Sequence, residues 1–170
     1  MLQNLKNNKT NSSREGGFLL LELLIAISVF GLALSVLLYA GSIALRFSNS
    51  LQKTSQANAL LRESIEAVRN FRDNTGWSED GIGLLSTEGE DYYPYLNDVL
   101  NPPRWELVAG TETVGIFTRS VAVEKVSRTN DEIDEIYNSF GDDPDTRKIT
   151  ATVSWEGKTM ELSTYFTNWK

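Results

Sequence analysis

An almost unbroken run of apolar residues from Phe18 to Leu45 limits what this chain can fold into more than any other feature. In a helix these 28 residues rise about 42 Å, which exceeds the roughly 30 Å hydrocarbon layer of a membrane. Glu22 is the only charged residue in the run. A carboxylate costs about 2.5–3.5 kcal/mol at the centre of a membrane helix and less near its end. The run therefore predicts one membrane-spanning helix with a carboxylate near its start.

The residues before the run indicate which way the helix is oriented. They carry the basic residues Lys6, Lys9 and Arg14 against one acidic residue, Glu15. Because basic residues stay on the cytoplasmic side, we expect a cytoplasmic N-terminus and a periplasmic or extracellular domain. A removable secretory signal needs an apolar core of only about 7–15 residues, so a retained helix is favoured.

The stretch Gly17-Phe18-Leu19-Leu20-Leu21-Glu22 follows this short basic leader and opens the apolar run. It resembles the class III signal of type IV prepilins and type II secretion pseudopilins. The resemblance implies that a prepilin peptidase cuts between Gly17 and Phe18 and methylates the new amine of Phe18. It also implies that the helix is the assembly element of a filament. In that filament Glu22 pairs with the terminal amine of a neighbouring subunit.

The chemistry of Glu22 is compatible with this role. Phe18 and Glu22 are four residues apart and share a helix face. An amine at Phe18 would be a partner for a carboxylate that otherwise lies in an apolar medium. The alternative is that Glu22 extends toward the lipid headgroups. Gly31 and Gly41 have two interpretations as well, namely close helix packing or local loosening of the helix.

Beyond Arg46 the chain turns polar, but apolar residues recur at helical spacing to about Arg72. The sequence thus predicts four parts: a leader (1–17), a membrane or filament-core helix (18–45), an amphipathic helix half (46–72) and a globular domain (73–170). Gly76 is expected to mark the end of the helix.

The globular part has strand patterns and no second helix. Alternation predicts strands at Trp105–Val108, Val114–Val126, Lys148–Trp155 and Thr159–Phe166, the last two joined by a hairpin turn. Arg119 breaks the second pattern, which a bulge or an edge position would explain. The predicted fold is α+β, a long N-terminal helix packed on a three- to four-stranded antiparallel sheet, as in type IV pilins.

The segment between helix and sheet, Trp77 to Arg104, is predicted to be irregular. It carries three tyrosines, Tyr92, Tyr93 and Tyr95. Aromatic residues with polar tips favour interfaces, so these side chains are a candidate contact patch. The alternative is that they are buried and support the loop.

Composition excludes several kinds of chemistry. The chain has no His and no Cys, so it lacks the commonest general base, a thiol nucleophile and a zinc site built from those residues. Without residues 1–17 the formal net charge of −7 becomes −9, which disfavours nucleic-acid binding. We therefore expect no enzyme and no cofactor.

Residues 127–148, here called the acidic loop, have one further candidate chemistry. Closely spaced carboxylates in a loop can bind calcium. The candidate ligands are Asp131, Asp134, Asp142, Asp143 and Asp145. Their spacing does not match an EF-hand, and charge runs are usually solvated, so a loop without metal is favoured over a calcium site.

The sequence as a whole favours a structural subunit, a minor pilin or pseudopilin of a type IV pilus or type II secretion-like filament. Its partners would be other subunits, the prepilin peptidase and the membrane that it crosses once. It would reside in the inner (cytoplasmic) membrane before assembly and in the pilus or pseudopilus afterwards. The alternative is a membrane-anchored binding module on the same scaffold, an adhesin or a DNA-uptake receptor.

Overall fold

The computed structural model describes the backbone of residues 12–169 and the side chains of residues 18–169. Most of the predicted leader, residues 1–11, lies outside the described residues. The chain divides into two units, one up to Leu51 and one from Gln52 onward. The helix is α1, Ser12–Asn74, and 3-10 turns lie at Ile82–Leu84 and Ser139–Gly141. The strands are β1 (Asp91–Asn97), β2 (Arg104–Ala109), β3 (Glu112–Val114), β4 (Phe117–Thr129), β5 (Glu132–Ile133), β6 (Asp142–Trp155) and β7 (Lys158–Thr167).

The strands form one antiparallel sheet on which the second half of α1 packs. The sheet order is β2-β1-β4-β6-β7, and the short strands β3 and β5 pair with β4. The predicted α+β class is therefore confirmed, including a long N-terminal helix on an antiparallel sheet. The predicted number of strands is wrong, because seven strands are present among the described residues instead of three or four.

β1 is the largest missed element, and Pro94 at its centre explains why. Proline cannot donate to a strand ladder, so it argues against a strand in a sequence pattern. In the structure β1 pairs with β2 from Tyr92 to Asn97 but with β4 only at Asp91 and Tyr92. One side of the strand is therefore unpaired at Pro94, where a missing N–H is tolerated.

The predicted hairpin of the last two strands is confirmed. β6 and β7 pair from Trp155–Lys158 to Thr146–Thr167. The two residues of the turn, Glu156 and Gly157, both have positive φ angles, 47° and 75°. Such a turn matches the right-handed twist of the two strands. The Lys53 ammonium reaches over this turn and binds the Glu156 carboxylate at 2.5 Å.

The core lies between the sheet and α1. The helix contributes Leu61, Ile65 and Val68, and the sheet contributes side chains that alternate along β4 and β6. Those sheet side chains are Phe117, Val121, Val123, Ile149, Ala151, Val153 and Trp155. Full burial of an aliphatic or aromatic side chain of this size stabilises the fold by about 1.5–3 kcal/mol. This apolar layer therefore holds the second half of α1 against the sheet.

Arg119 occupies a core-facing position of β4. Neither a bulge nor an edge position explains why a charged residue interrupts the apolar alternation there. β4 is an inner strand, and its register shift falls between Lys125 and Val126. The Arg119 guanidinium is buried and forms ion pairs with Glu63 of α1 (2.8 Å) and Glu112 of β3 (2.6 Å). A buried charge is tolerated here because two carboxylates compensate it.

Candidate functional site

The most unusual surface of the described chain is the first part of α1. All large apolar side chains from Phe18 to Leu45 are exposed, with relative exposures of 45% to 71%. An exposed apolar surface of this extent is not stable in water and requires lipid or another protein to cover it. The helix is continuous through Gly31 and Gly41.

The serines of this segment do not need a partner outside their own helix. The hydroxyls of Ser28, Ser35 and Ser42 donate to backbone carbonyls three or four residues earlier, at 2.7–2.8 Å. Such internal bonds remove the cost of placing a hydroxyl in an apolar medium.

Glu22 differs from these serines. Its side chain is exposed, and within the described part of the chain its carboxylate has no hydrogen bond or ion pair. Phe18 lies one helical turn earlier on the same face and is also exposed. Gly17, the other residue of the predicted cleavage site, is exposed as well, and no atom lies within 4 Å of a Cβ placed on it.

The two glycines of the segment are not required by the packing of this chain. A Cβ atom placed on Gly31 or Gly41 would meet no other atom within 4 Å. Any need for a small residue at these positions must come from outside the described monomer. Of the two interpretations, close packing against another helix supplies such a need.

The three tyrosines have different environments, so they do not form one contact patch. Tyr92 is buried, and its hydroxyl accepts a hydrogen bond from the Ser86 N–H (2.9 Å) and donates one to Glu90 (3.1 Å). Burial raises the pKa of Tyr92, and Glu90 raises it further against the opposing effect of the Ser86 N–H. Tyr93 is half-buried, whereas Tyr95 is exposed. The supporting role therefore applies to Tyr92, whereas Tyr95 and in part Tyr93 are accessible for contacts.

Four of the five candidate carboxylates of the acidic loop accept hydrogen bonds from protein donors. Asp143 accepts from Arg128 (2.6 Å), Asp134 from Ser127 (2.7 Å), Asp142 from Tyr137 (3.1 Å) and Asp145 from Asn168 (3.0 Å). The main-chain carbonyl of Asp131 accepts from Arg128. In the described ranges no group of three or more acidic side chains is placed to hold a metal ion. The five candidate calcium ligands therefore do not converge on one point in the described structure.

The carboxylate of Asp143 is held in its charged form by several hydrogen-bond donors. Burial alone would raise its pKa, but hydrogen bonds from Arg128, Thr146 and the Asp145 N–H together lower the pKa below its ordinary value. The carboxylate is therefore ionised at neutral pH and bridges β4 to the start of β6.

A groove of about 340 Å³ lies beside the acidic loop. Two amines line this groove, those of Lys125 and Lys148. The hydrogen bond from Lys148 to Glu124 (2.8 Å) raises the pKa of the amine. The amine is consequently protonated at neutral pH and is not a base or a nucleophile.

Sequence reasoning missed Arg147, a second buried arginine. Its Nη1 donates to the carbonyls of Asp143, Pro144 and Thr146, and its Nη2 to Gly83. Its Nε is buried without a partner among the described residues. Arg147 sits at an inward position of β6, so its role is to hold the turn at residues 82–84 and the start of β6 together. The strand pattern gave no signal of this, because the acceptors are backbone carbonyls.

Comparisons with protein-family models, curated proteins and solved structures gave no match. One helix near the N-terminus is long and apolar enough to cross a membrane, with a mean hydropathy of 2.5 in its most apolar window and none of that window buried. These properties suggest a protein anchored in a membrane by a single helix. The exposed apolar segment with Glu22 is therefore the candidate functional site.

Proposed function

We propose that this chain is a minor pilin or pseudopilin, a structural subunit of a type IV pilus or a type II secretion-like filament. It is cleaved by prepilin peptidase between Gly17 and Phe18 and methylated on the new amine of Phe18. It is stored in the cytoplasmic membrane, with its domain on the periplasmic or extracellular side. It then enters the filament through the helix of residues 18–45.

The observation that carries this proposal is the unpartnered Glu22 on a helix surface that is otherwise apolar. The apolar surface alone is equally suited to lipid, so it does not distinguish a filament subunit from a simple anchor. The serines satisfy their own hydroxyls, which leaves Glu22 as the charged group without a partner in the described segment. A carboxylate in an apolar medium needs a cation, and cleavage before Phe18 creates one.

The first experiment determines the mature N-terminus. The protein is isolated from its native host membrane and its N-terminal peptide is analysed by mass spectrometry. We expect a peptide that starts at Phe18 and carries an N-methyl group. An intact residue 1–17 segment would contradict the proposal and leave an ordinary membrane anchor.

The second experiment tests Glu22 against a matched control. Glu22→Ala removes the carboxylate, whereas Ser35→Ala removes a hydroxyl that is bonded within its own helix. Loss of an ion pair in an apolar medium is expected to lower incorporation into filaments by about tenfold or more. Ser35→Ala is expected to be incorporated normally.

Sheared filaments and membranes are quantified separately with an antibody against the globular domain. Both variants should be processed and reach the membrane at wild-type levels. Normal incorporation of Glu22→Ala would contradict the assembly role even if cleavage at Phe18 were found.

A further inference from the structure

The acidic loop exposes two large apolar side chains. Phe140 is 99% exposed and Ile136 is 81% exposed. Single exposed apolar residues are ordinary on protein surfaces, but these two lie four positions apart in one loop. Neither side chain belongs to the core cluster of the domain.

This loop is built around Ser127, a buried residue of β4. The Ser127 hydroxyl donates to Asp134 Oδ2 (2.7 Å) and accepts from the Asn138 N–H (2.9 Å). The Asp134 N–H donates in turn to the Ser127 carbonyl (2.9 Å). Three hydrogen bonds to one buried residue thus fix the backbone on both sides of Ile136.

The backbone of Phe140 is fixed in the same way. The Asn138 side chain accepts from the Phe140 N–H (3.1 Å), and its carbonyl accepts from the Gly141 N–H (3.1 Å). A Cβ atom on Gly141 would lie 2.5 Å from the Arg128 carbonyl, so the close approach of loop and strand requires glycine. The loop therefore holds Phe140 in an outward position at an ordered 3-10 turn.

The part of the sequence that carries the two side chains is acidic. Between Thr129 and Thr146 the chain has seven acidic residues and no basic residue. Asp131, Glu132 and Glu135 among them are exposed. An apolar anchor within a rim of one charge sign is complementary to an apolar pocket rimmed by the opposite sign.

We propose that Phe140 and Ile136 anchor this chain to a different protein, one that has an apolar pocket rimmed by lysine or arginine. A second copy of this chain is disfavoured as the occupant because both copies would bring acidic loops and a net negative charge to the contact. Anionic lipid headgroups are disfavoured for the same reason. The docking surface lies in the globular domain and does not depend on the proposed role of Glu22.

The test uses site-specific photo-crosslinking of the full chain in the membrane of its native host. A p-benzoyl-phenylalanine side chain replaces Ile136, and adducts are identified by mass spectrometry to the crosslinked peptide. We expect one protein of different sequence, with lysine or arginine residues around the crosslinked site. The control places the same group at Val99, which is 88% exposed in the connection between β1 and β2, and does not give this adduct.

Two variants then test the two parts of the surface with the crosslinker kept at position 136. Phe140→Ala removes the anchor, and Glu132→Lys combined with Glu135→Lys reverses the charge of the rim. Each is expected to lower the yield of the adduct about tenfold, as for an interface hot spot and for opposed charges. Because these side chains are exposed, the amount of protein and its melting midpoint should not change.

The proposal would be overturned by any of four results. These are no adduct above the Val99 control, an adduct with a second copy of this chain, an adduct with lipid alone, or an adduct whose yield is unaffected by both variants. None of these results bears on the mature N-terminus or on Glu22→Ala, so the two proposals fail separately.

Discussion

The guanidinium of Arg119 in β4 lies 2.8 Å from the carboxylate of Glu63 in α1, and this ion pair ties the helix to the sheet across the edge of the core. Glu112 binds the same guanidinium from the other side at 2.6 Å. The Arg119 side chain is 6% exposed, whereas the Glu63 side chain is 47% exposed. The two carboxylates therefore compensate a buried charge while remaining partly solvated themselves.

This arrangement predicts non-additive effects of the two carboxylates on the free energy of unfolding. Glu63→Gln alone should cost less than about 1 kcal/mol, because the pair is partly exposed and Glu112 still compensates the arginine. Glu63→Gln combined with Glu112→Gln should cost about 3 kcal/mol, because the buried cation then has no carboxylate. Urea unfolding of the full chain in detergent measures both values. Additive effects would show that the two carboxylates act independently.

A second prediction concerns the pH dependence of stability. Because the pKa of Asp143 is lower in the folded state than its ordinary value of 3.8, its contribution is fully present above that value and is lost as the pH falls below it. Asp143→Asn should lower the free energy of unfolding by roughly 1 kcal/mol at neutral pH. Below about pH 4 the variant should lose less of its remaining stability than the wild type does. Melting midpoints measured between neutral and acidic pH test this, with the exposed Asp98→Asn as the control. If the melting midpoint of Asp143→Asn fell at acidic pH as much as that of the wild type, Asp143 would not be the source of this pH dependence.

The sequence predicted those parts of the fold that depend on residues close to one another along the chain. The apolar run of α1, the alternation in β6 and β7 and the turn at Glu156–Gly157 are all visible within a few residues of sequence. β1 was missed because tolerance of Pro94 depends on which strand lies beside it, and that is a property of the whole sheet. β3 and β5 were missed because strands of three and two residues carry too little alternation to be recognised.

The candidate site divides in the same way. The apolar composition of residues 18–45 predicts an exposed membrane helix. It also predicts that Glu22 has no charged partner within this segment, because Glu22 is its only charged residue. The partners of Arg119 and Asp143 did not follow, because Glu63 is 56 residues away from Arg119 and the bond from Arg128 to Asp143 depends on the register between β4 and β6. The donors to the aspartates of the acidic loop did not follow from the sequence either, because Ser127 and Arg128 lie in β4 and Asn168 lies beyond β7.

The third prediction follows from those donors. Calcium at millimolar concentration should leave the melting midpoint of the full chain unchanged, because the five candidate aspartates do not converge and four of their carboxylates are engaged by protein donors. Differential scanning fluorimetry with calcium and with a chelator measures this. A rise in midpoint that saturates with calcium and disappears in Asp143→Asn would contradict it.

The fourth prediction concerns Arg147. Arg147→Ala should cost about 3 kcal/mol, because it removes a buried guanidinium that donates to four backbone carbonyls. Of these carbonyls, that of Pro144 keeps a second donor, the indole N–H of Trp77. Arg147→Lys should restore only part of this stability, since an ammonium lacks the planar fork that reaches both Pro144 and Gly83. Urea unfolding gives the free energies. Equal stability of Arg147→Lys and wild type would show that charge alone, without the fork, is enough.

The last prediction separates the two interpretations of Gly31. Nothing lies within 4 Å of a Cβ at this position, so both Gly31→Ala and Gly31→Leu should be accepted by the monomer and reach the membrane at wild-type levels. If the glycine serves close packing between subunits, incorporation into filaments should be nearly normal for Gly31→Ala and strongly reduced for Gly31→Leu. If it serves to loosen the helix, Gly31→Ala should already reduce incorporation, because alanine stabilises a helix by about 1 kcal/mol relative to glycine. Filament and membrane fractions of the two variants, quantified side by side, decide between them, and normal incorporation of both would remove Gly31 from the assembly surface.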